Sequence, residues 1–226
     1  MSALPETLDR FNLMLAESVP KIASRLQLGL THIEIERQVV SFTWTLPQDA
    51  FLLYQWHNGL SGKPGKLNLG EKLLRLKGKW HGELTGRENE VRTILENRLI
   101  MTKFLPLEYS LAGHRHLKLG RCQIDLLPIF ILMEGKKTIY CMMRLEPNNP
   151  IIYCANGTKL PPMKVTESFL STQPQFSRLS NFIAFLTAVF QQGIQSVTPS
   201  KGRCISGIDC ELESTELEKL YQQYKS

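Results

Sequence analysis

The chain has 226 residues, of which 42% are hydrophobic and 21% are charged. This composition is typical of globular domains and excludes an intrinsically disordered chain, because the apolar residues suffice for a core. Lys and Arg outnumber Asp and Glu by 27 to 21, and the resulting charge of +6 permits an acidic partner without requiring one. The longest apolar run, 126–133, is too short to span a bilayer and contains a proline, and the N-terminus carries no secretory signal. We therefore expect a cytoplasmic protein with no membrane partner.

The 5 cysteines are scattered and odd in number. In a chain without a secretory signal, they are expected to be reduced thiols, and the absence of a CxxC pair argues against structural zinc. His114 and His116 lie two positions apart, a spacing that could serve a metal on a strand, but no third ligand follows at a motif spacing. An exposed histidine pair in a turn is the preferred interpretation, so we predict no metal site.

The first half is predicted to be helical over residues 5–57. Leu8, Phe11 and Leu15 recur at helical spacing, and Pro20 breaks or restarts that helix, after which the apolar face continues to Leu26. A second helix is predicted from a capping box to about residue 40, and a third begins at a proline and ends at an Asn-Gly pair in the left-handed C-cap conformation. The residues that mark these boundaries are Thr31 with Glu34, Pro47, and Asn58 with Gly59.

The middle of the chain changes from helical to strand-like patterns. The glycine-rich stretch 60–70 predicts a loop, residues 74–77 alternate like a strand, and the charged segment 86–100 could be a helix. Apolar runs at 124–132, 138–145 and 151–154, separated by short turns, then predict three antiparallel strands.

The last part of the chain predicts two helices. An apolar stripe of Phe182, Phe185, Leu186, Val189 and Phe190 ends at a glycine and indicates a helix packed across the sheet. Residues 196–210 lack an apolar period and are interpreted as a linker. Beyond it, Thr215 and Glu218 form a second capping box for a short terminal helix, either docked or mobile. The predicted fold class is α+β: N-terminal helices, a central antiparallel-rich (mixed) sheet, and a C-terminal helix packed on the sheet.

The strongest local charge feature runs from Lys63 to Lys79, where 6 basic residues stand against Glu71, and Trp80 and His81 follow. The candidate partner-interface residues are Lys72, Arg75, Lys77, Lys79 and Trp80. Such a stretch fits a surface for phosphates or for an acidic protein, with the indole available for stacking. The alternative is a solvated strand edge, where lysines discourage edge-to-edge pairing.

No catalytic motif emerges from the sequence. The loop 59–66 fails as a phosphate loop because Gly65-Lys66 is followed by Leu67. His57 has no nucleophile or orienting acid beside it in sequence and suits the carbonyl end of a helix. The scattered carboxylates define no acid pair. We predict neither catalytic residues nor a cofactor, and keep as an alternative an enzyme whose site is assembled from distant residues.

Several blocks in order resemble a known family. Residues 18–36, with Pro20 and Thr31, lead into the block 46–59, Leu-Pro-Gln-Asp-Ala-Phe-Leu-Leu-Tyr-Gln-Trp-His-Asn-Gly. Weaker matches follow at 104–107, 125–130 and 176–182. This order resembles the Smi/Knr family of the SUKH superfamily over about residues 5–192. The chain departs from that pattern at Thr43-Trp44-Thr45, in a longer basic segment at 60–100, and in a tail, 194–226, predicted as a linker and short helix.

The resemblance implies a non-enzymatic, protein-binding module. Similar bacterial proteins are immunity proteins that neutralise toxin domains, and similar fungal proteins are regulators of cell-wall synthesis. The fold-motif residues that it assigns are Leu46, Pro47, Tyr54, Trp56, His57, Asn58 and Gly59. The expected partner is therefore another protein, a toxin domain or a regulatory partner, and the chain is expected to be a monomer or small homo-oligomer. If it is an immunity protein, its charge of +6 favours an acidic target surface or binding away from a nuclease's basic groove. The alternative is a nucleic-acid-binding protein that uses residues 63–81.

Overall fold

The computed structural model shows an α+β fold. It describes residues 4–18, 20–60, 91–95, 98–119, 123–134, 137–146, 150–156, 174–199, 206–210 and 214–226. The helices, numbered in chain order, are α1 (Leu4–Ser18), α2 (Pro20–Ala23), α3 (His32–Val39), α4 (Gln48–Trp56), α5 (Leu107–Leu119), α6 (Leu179–Gly193) and α7 (Ser214–Tyr224). The strands are β1 (Leu26–Leu28), β2 (His57–Leu60), β3 (Val91–Leu95), β4 (Arg98–Phe104), β5 (Leu126–Glu134), β6 (Lys137–Arg144), β7 (Ile151–Asn156), β8 (Ile194–Pro199) and β9 (Ser206–Cys210). None of the helices in these ranges has the length and apolarity needed to cross a membrane.

Helices α1, α3 and α4 form where the sequence predicts them, within one or two residues at each end. Helix α1 buries one apolar stripe, and Pro20 begins the separate helix α2. Helix α3 opens with the predicted capping box: Thr31 Oγ1 accepts from the backbone N–H of Glu34, whose carboxylate in turn accepts from the backbone N–H of Thr31. The carboxylate hydrogen bonds lower the pKa of Glu34.

The main sheet has five strands in the order β3-β4-β5-β6-β7, and every pairing in it is antiparallel. The three predicted strands of the middle region are β5, β6 and β7, so those predictions are confirmed. Strand β5 is central, and its ladder with β6 slips at a bulge between Pro128 and Phe130. Helix α5 lies between β4 and β5 in the chain and packs on β5, where Gly113 lies against the ring of Pro128.

One core joins the helices to the sheet. Helix α6 packs along α1 and buries most of its length, as its wide apolar stripe predicts. Phe104 and Phe130 are paired across β4 and β5 with ring centroids 4.9 Å apart, and Phe182 of α6 meets Phe130 edge-on at 5.4 Å. On the other side of Phe104, the ring of Tyr54 in α4 stacks at 6.0 Å. Helices α4 and α6 therefore pack on the same face of the sheet.

The C-terminal helix α7 is docked, which decides between the two alternatives left by the sequence. Leu220 is buried, and the ring of Tyr221 meets Phe176 edge-on at 5.5 Å. The backbone N–H of Ser177 donates to the carbonyl of Lys225 at 3.0 Å. The C-terminal end of the chain therefore packs against the residues just before α6.

Four predicted elements are wrong. The segment 86–100, predicted as a helix, contains β3 and the start of β4 in its described part, because these residues pair with β5 and with each other. The linker predicted at 196–210 contains the antiparallel pair β8 and β9. Residues 26–28 form strand β1 against β2 instead of extending the helical face. Helix α7 begins at Ser214, so Thr215 lies inside the helix and is not its N-cap.

The predicted loop at 60–70 and the predicted strand at 74–77 lie outside the described residues, apart from Leu60 at the end of β2. The division into a domain at 5–192 and a tail at 194–226 stays a prediction.

Candidate functional site

The block 46–59 forms helix α4 and strand β2, and its side chains contact the rest of the core. Leu46 is partly buried against the core. Pro47, predicted as the first helical residue, is the N-cap of α4, so the helix begins one position later than predicted, and the Pro47 carbonyl accepts from the backbone N–H of Phe51. The fixed φ angle of proline suits this boundary. The residue also needs no N–H donor there. These two residues begin the helix and present no free reactive group.

Two polar side chains of the block attach it to helix α5. The hydroxyl oxygens of Tyr54 and Ser110 are 2.6 Å apart in a fully buried hydrogen bond. Burial raises the pKa of Tyr54 far above its ordinary value, so the phenol stays neutral. Asn58 Oδ1 accepts from the backbone N–H of Leu107 at 2.8 Å, which satisfies an unpaired donor in the first turn of α5.

The adjacent rings of Trp56 and His57 hold β1, α1 and the sheet together. Trp56 lies 6.0 Å from Phe11 and 6.2 Å from Phe104 between ring centroids. His57 Nδ1 lies 2.7 Å from the carbonyl of Gln27, and since a carbonyl only accepts, the ring donates from Nδ1. Burial lowers the pKa of His57 and outweighs this hydrogen bond. The structural role predicted for His57 agrees with these contacts: the residue is the C-cap at the carbonyl end of α4 and also the first residue of β2.

Gly59 explains why the block ends in glycine, but not as the sequence predicts. Helix α4 ends at Trp56, its C-cap His57 is extended, and the chain continues directly into β2. Gly59 lies within β2 with a φ of 79°, and a Cβ atom there would lie 2.6 Å from the backbone nitrogen of Pro106. The glycine therefore permits both a left-handed backbone and close contact with the β4–α5 connection.

His114 lies on helix α5 and is 4% exposed, which corrects the prediction of an exposed histidine pair in a turn. The indole Nε1–H of Trp44 donates to His114 Nε2 at 3.0 Å, and His114 Nδ1 lies 2.9 Å from the carbonyl of Leu126. An indole only donates and a carbonyl only accepts, so Nε2 is unprotonated and Nδ1 carries the proton. No sequence signal indicates this contact, because Trp44 and His114 are 70 positions apart.

A cluster of aromatic and charged side chains surrounds this imidazole. Phe42 and Trp44 have ring centroids 5.6 Å and 5.0 Å from that of His114. The guanidinium of Arg115 lies 4.6 Å above the ring of Phe42. Asp125 Oδ1 is 3.9 Å from His114 Nε2 and 2.8 Å from Lys118 Nζ. Arg115 and Lys118 are the cations nearest to this cluster on α5, and Asp125 is its carboxylate.

A separate surface of the helical half exposes large apolar side chains. Leu28 is 89% exposed, Ile33 is 59% exposed and Val40 is 80% exposed. Ile33 and Val40 are seven positions apart, which places them on one face of α3, opposite the buried Ile35. We use the name α3 apolar face for these three exposed residues: Leu28 at the end of β1, Ile33 in α3 and Val40 at the C-cap of α3.

A groove of about 430 Å³ lies between α1 and α6, with Tyr224 of α7 at its border. Its walls mix apolar side chains, including the 60% exposed Leu13, with Arg10 and Glu17. This mixture does not favour one class of ligand. Leu13 is an exposed leucine that lines this groove and does not belong to the α3 apolar face.

The candidate interface residues Lys72, Arg75, Lys77, Lys79 and Trp80 lie outside the described residues. Within the part that the structure does describe, no three His, Cys, Asp or Glu side chains come together as a metal site requires. Cys141 is a free, buried thiol, and burial raises its pKa.

No protein-family model matches this chain, and no curated protein does. The resemblance to the SUKH superfamily therefore depends on the sequence blocks alone, and what it implies about function is a matter for proposal.

Proposed function

We propose that this chain is a non-enzymatic, cytoplasmic protein-binding module that resembles the immunity and regulatory proteins of the SUKH superfamily. The observation that carries the proposal is the α3 apolar face. Its partner would be another protein, either a toxin domain or a regulatory protein.

The α3 apolar face supports protein binding because its three side chains belong to one short stretch, 28–40, and each is more than half exposed. Exposed apolar residues that occur singly are common, but grouped ones usually mark an interaction surface. Helix α3 has its other face fixed by the buried Ile35 and by the capping box at its start. Ile33 on α3, Val40 at its C-cap and Leu28 on strand β1 are therefore presented by ordered elements, which limits the entropy lost on binding.

The charges on α3 favour a protein over a nucleic acid at this face. Glu34 and Glu36 are exposed on the helix, with Arg37 as the basic residue beside them. A polyanion would be repelled by the two carboxylates, whereas a protein surface with both signs of charge can pair with them at the rim of an apolar contact. Nucleic-acid binding would have to use the basic stretch 63–81.

The buried polar groups support a role without catalysis. Tyr54, His57 and His114 are three buried or half-buried titratable groups on α4, β2 and α5, and each is engaged by a structural partner. Neither histidine is paired with a nucleophile, and the Tyr54 hydroxyl is completely enclosed. These contacts stabilise the packing of the helices on the sheet.

The test is affinity capture from host lysate with the full chain and three matched variants, Val40→Lys, Leu28→Lys and Leu13→Lys. All three add one lysine at a position at least 60% exposed, so the change in charge is the same. We expect a captured protein that survives nuclease treatment, is retained by the Leu13→Lys variant, and is lost with Val40→Lys and Leu28→Lys. Far-UV circular dichroism checks that every variant is folded.

The outcomes separate the functions. A partner retained by all variants would show that the α3 apolar face is not the interface. Capture that disappears with nuclease, or that falls steeply with salt, would favour the nucleic-acid alternative. A change in the chain's own mass on sedimentation with Val40→Lys would identify a second copy of the chain as the occupant of the face.

A further inference from the structure

Residues 41–47, which connect α3 to α4, are held on helix α5 by two neighbouring side chains. His114 accepts the indole N–H of Trp44, and Arg115 lies over the ring of Phe42. Arg115 also donates from Nη2 to Ser41 Oγ at 2.7 Å. The segment therefore depends on contacts with α5 that lie far from it in sequence.

We infer that Trp44 and His114 form a pH-sensitive latch in segment 41–47, in which the neutral imidazole accepts the indole N–H of Trp44 and the protonated imidazole releases that indole. This latch does not depend on the proposed protein-binding function.

The hydrogen bonds around the ring allow only one neutral form. With Nδ1–H donating to the carbonyl of Leu126, the lone pair on Nε2 is the acceptor for Trp44. A proton added to His114 goes to Nε2, since Nδ1 already carries one. Two N–H groups, of Trp44 and of His114, would then face each other across the former hydrogen bond, and the indole would lose its acceptor.

The protonated ring has a different partner close by. Asp125 Oδ1 is 3.9 Å from His114 Nε2, and a small rotation of the ring would bring the two into hydrogen-bonding distance. That oxygen already accepts from Lys118 Nζ at 2.8 Å, so the protonated histidine and the lysine would share one carboxylate. The cluster therefore has two arrangements, with Nε2 directed to Trp44 or to Asp125.

The charged groups around His114 are few and their effects are opposed. On α5 itself, Arg115 and Lys118 disfavour the protonated ring, and at the start of β5, Asp125 favours it. From segment 41–47, the facing rings of Phe42 and Trp44 do not titrate. Helix α3 also packs against α5, but its ionisable side chains, His32, Glu34, Glu36 and Arg37, are exposed. Burial lowers the pKa of His114, so the latch is closed at neutral pH and opens in mild acid.

The experiment follows the indole N–H of Trp44 by NMR in the ¹⁵N-labelled full chain. The chain has 3 tryptophans, and Trp44→Phe assigns the resonance by deleting it. We expect this resonance to shift as the pH is lowered from about 7.5, with a midpoint below the ordinary histidine pKa of roughly 6.5 because burial lowers the pKa of His114. Its exchange with solvent should accelerate about tenfold more than pH alone predicts, as loss of one hydrogen bond implies.

Two matched variants test the two arrangements. His114→Gln keeps an acceptor for Trp44 but cannot be protonated, so the resonance should no longer respond to pH. Asp125→Asn removes, at a half-exposed position, the negative charge that favours the protonated ring, so the transition should move to lower pH. Because Asp125 is near the surface, this variant is expected to fold even if His114→Gln does not.

The imidazole ¹⁵N shifts provide a readout that needs no variant. At neutral pH the latch requires the tautomer with the proton on Nδ1 of His114. The opposite tautomer, a Trp44 resonance that does not respond to acid before the chain unfolds, or the same transition midpoint in Asp125→Asn as in the natural chain would each overturn the latch.

Discussion

At the scale of single residues, the hydroxyls of Tyr54 and Ser110 form a buried pair 2.6 Å apart. Each satisfies the other in a place that water does not reach. Removing one hydroxyl leaves the other buried without a hydrogen-bond partner, whereas removing both leaves an apolar contact.

Tyr54→Phe is therefore expected to lower the free energy of unfolding by about 1–2 kcal/mol. The double variant with Ser110→Ala should be less destabilised than the sum of the two single variants, because no unpaired hydroxyl remains. Urea unfolding measures all four chains. Additive losses would show that the two hydroxyls do not depend on each other.

Gly59 is constrained by its backbone and by its neighbour together. Gly59→Ala would place a Cβ atom 2.6 Å from the nitrogen of Pro106 at a φ of 79°. We expect a loss of at least about 1–2 kcal/mol, the cost of a left-handed backbone for a residue with a side chain. The comparison is Gly113→Ala, where the new Cβ would meet the Pro128 side chain at 3.0 Å and the helix gains from alanine. Its loss of unfolding free energy should be smaller; equal losses would contradict this explanation.

His57 should make stability depend on pH. Burial lowers its pKa in the folded chain, whereas in the unfolded chain the pKa is about 6.5. Below about pH 6.5 the unfolded chain therefore binds a proton more readily, and the unfolding free energy falls until the pH reaches the folded pKa. His57→Asn keeps a donor for the carbonyl of Gln27 but cannot titrate, so the slope of unfolding free energy against pH should decrease. An unchanged slope would show that His57 titrates alike in both states.

At the scale of elements, helix α7 differs from the short terminal helices that fray. Leu220 is 5% exposed, and Tyr221 packs against Phe176 and Phe185 with ring centroids 5.5 Å and 6.4 Å away. Helix α7 therefore packs against α6 and is part of the hydrophobic core.

Leu220→Ala is expected to cost about 2–4 kcal/mol of unfolding free energy, the range for deleting a buried leucine side chain. Gln223→Ala on the exposed side of the same helix is the control, and it should change stability by less than about 0.5 kcal/mol. Denaturant unfolding measures both. Similar small effects for the two variants would show that α7 is undocked in solution.

At the scale of the whole molecule, a continuous set of aromatic contacts connects the first helices with the last. It begins with Trp56 against Phe104 at 6.2 Å and continues through Phe130 to Phe182. The ring of Phe176 lies 5.3 Å from that of Phe182 and also contacts Tyr221, so the aromatic contacts extend to the terminal helix. A core shared in this way favours all-or-none unfolding.

We expect tryptophan fluorescence and far-UV circular dichroism to give the same denaturation midpoint. Two of the 3 tryptophans, Trp44 and Trp56, lie in the N-terminal helical part, while the dichroism reports every helix. Phe130→Leu should lower both midpoints together, since Phe130 is in the middle of the aromatic contacts. Separate midpoints would show that the N-terminal helices or the tail after residue 193 unfold as independent units.

The sequence alone was sufficient where the signal is local. The helical spacing of apolar residues predicted α1 and α6. A hydroxyl three positions before a carboxylate predicted the cap of α3. Short apolar runs separated by turns predicted β5, β6 and β7. These are interactions between residues a few positions apart, so the pattern and the physical cause coincide. The same local signals identified block 46–59 as a folding motif, and its contacts agree with that role.

Tertiary structure decided everything that depends on a distant neighbour. Residues 91–95, 98–100 and 206–210 have weak patterns and form strands because a partner strand supplies their hydrogen bonds. Gly59 needs its special backbone because of Pro106, and His114 is buried in one tautomer because Trp44, 70 positions away, donates to it. A single sequence carries no record of which of its residues meet across such separations, and those meetings determine the environment in which each side chain acts.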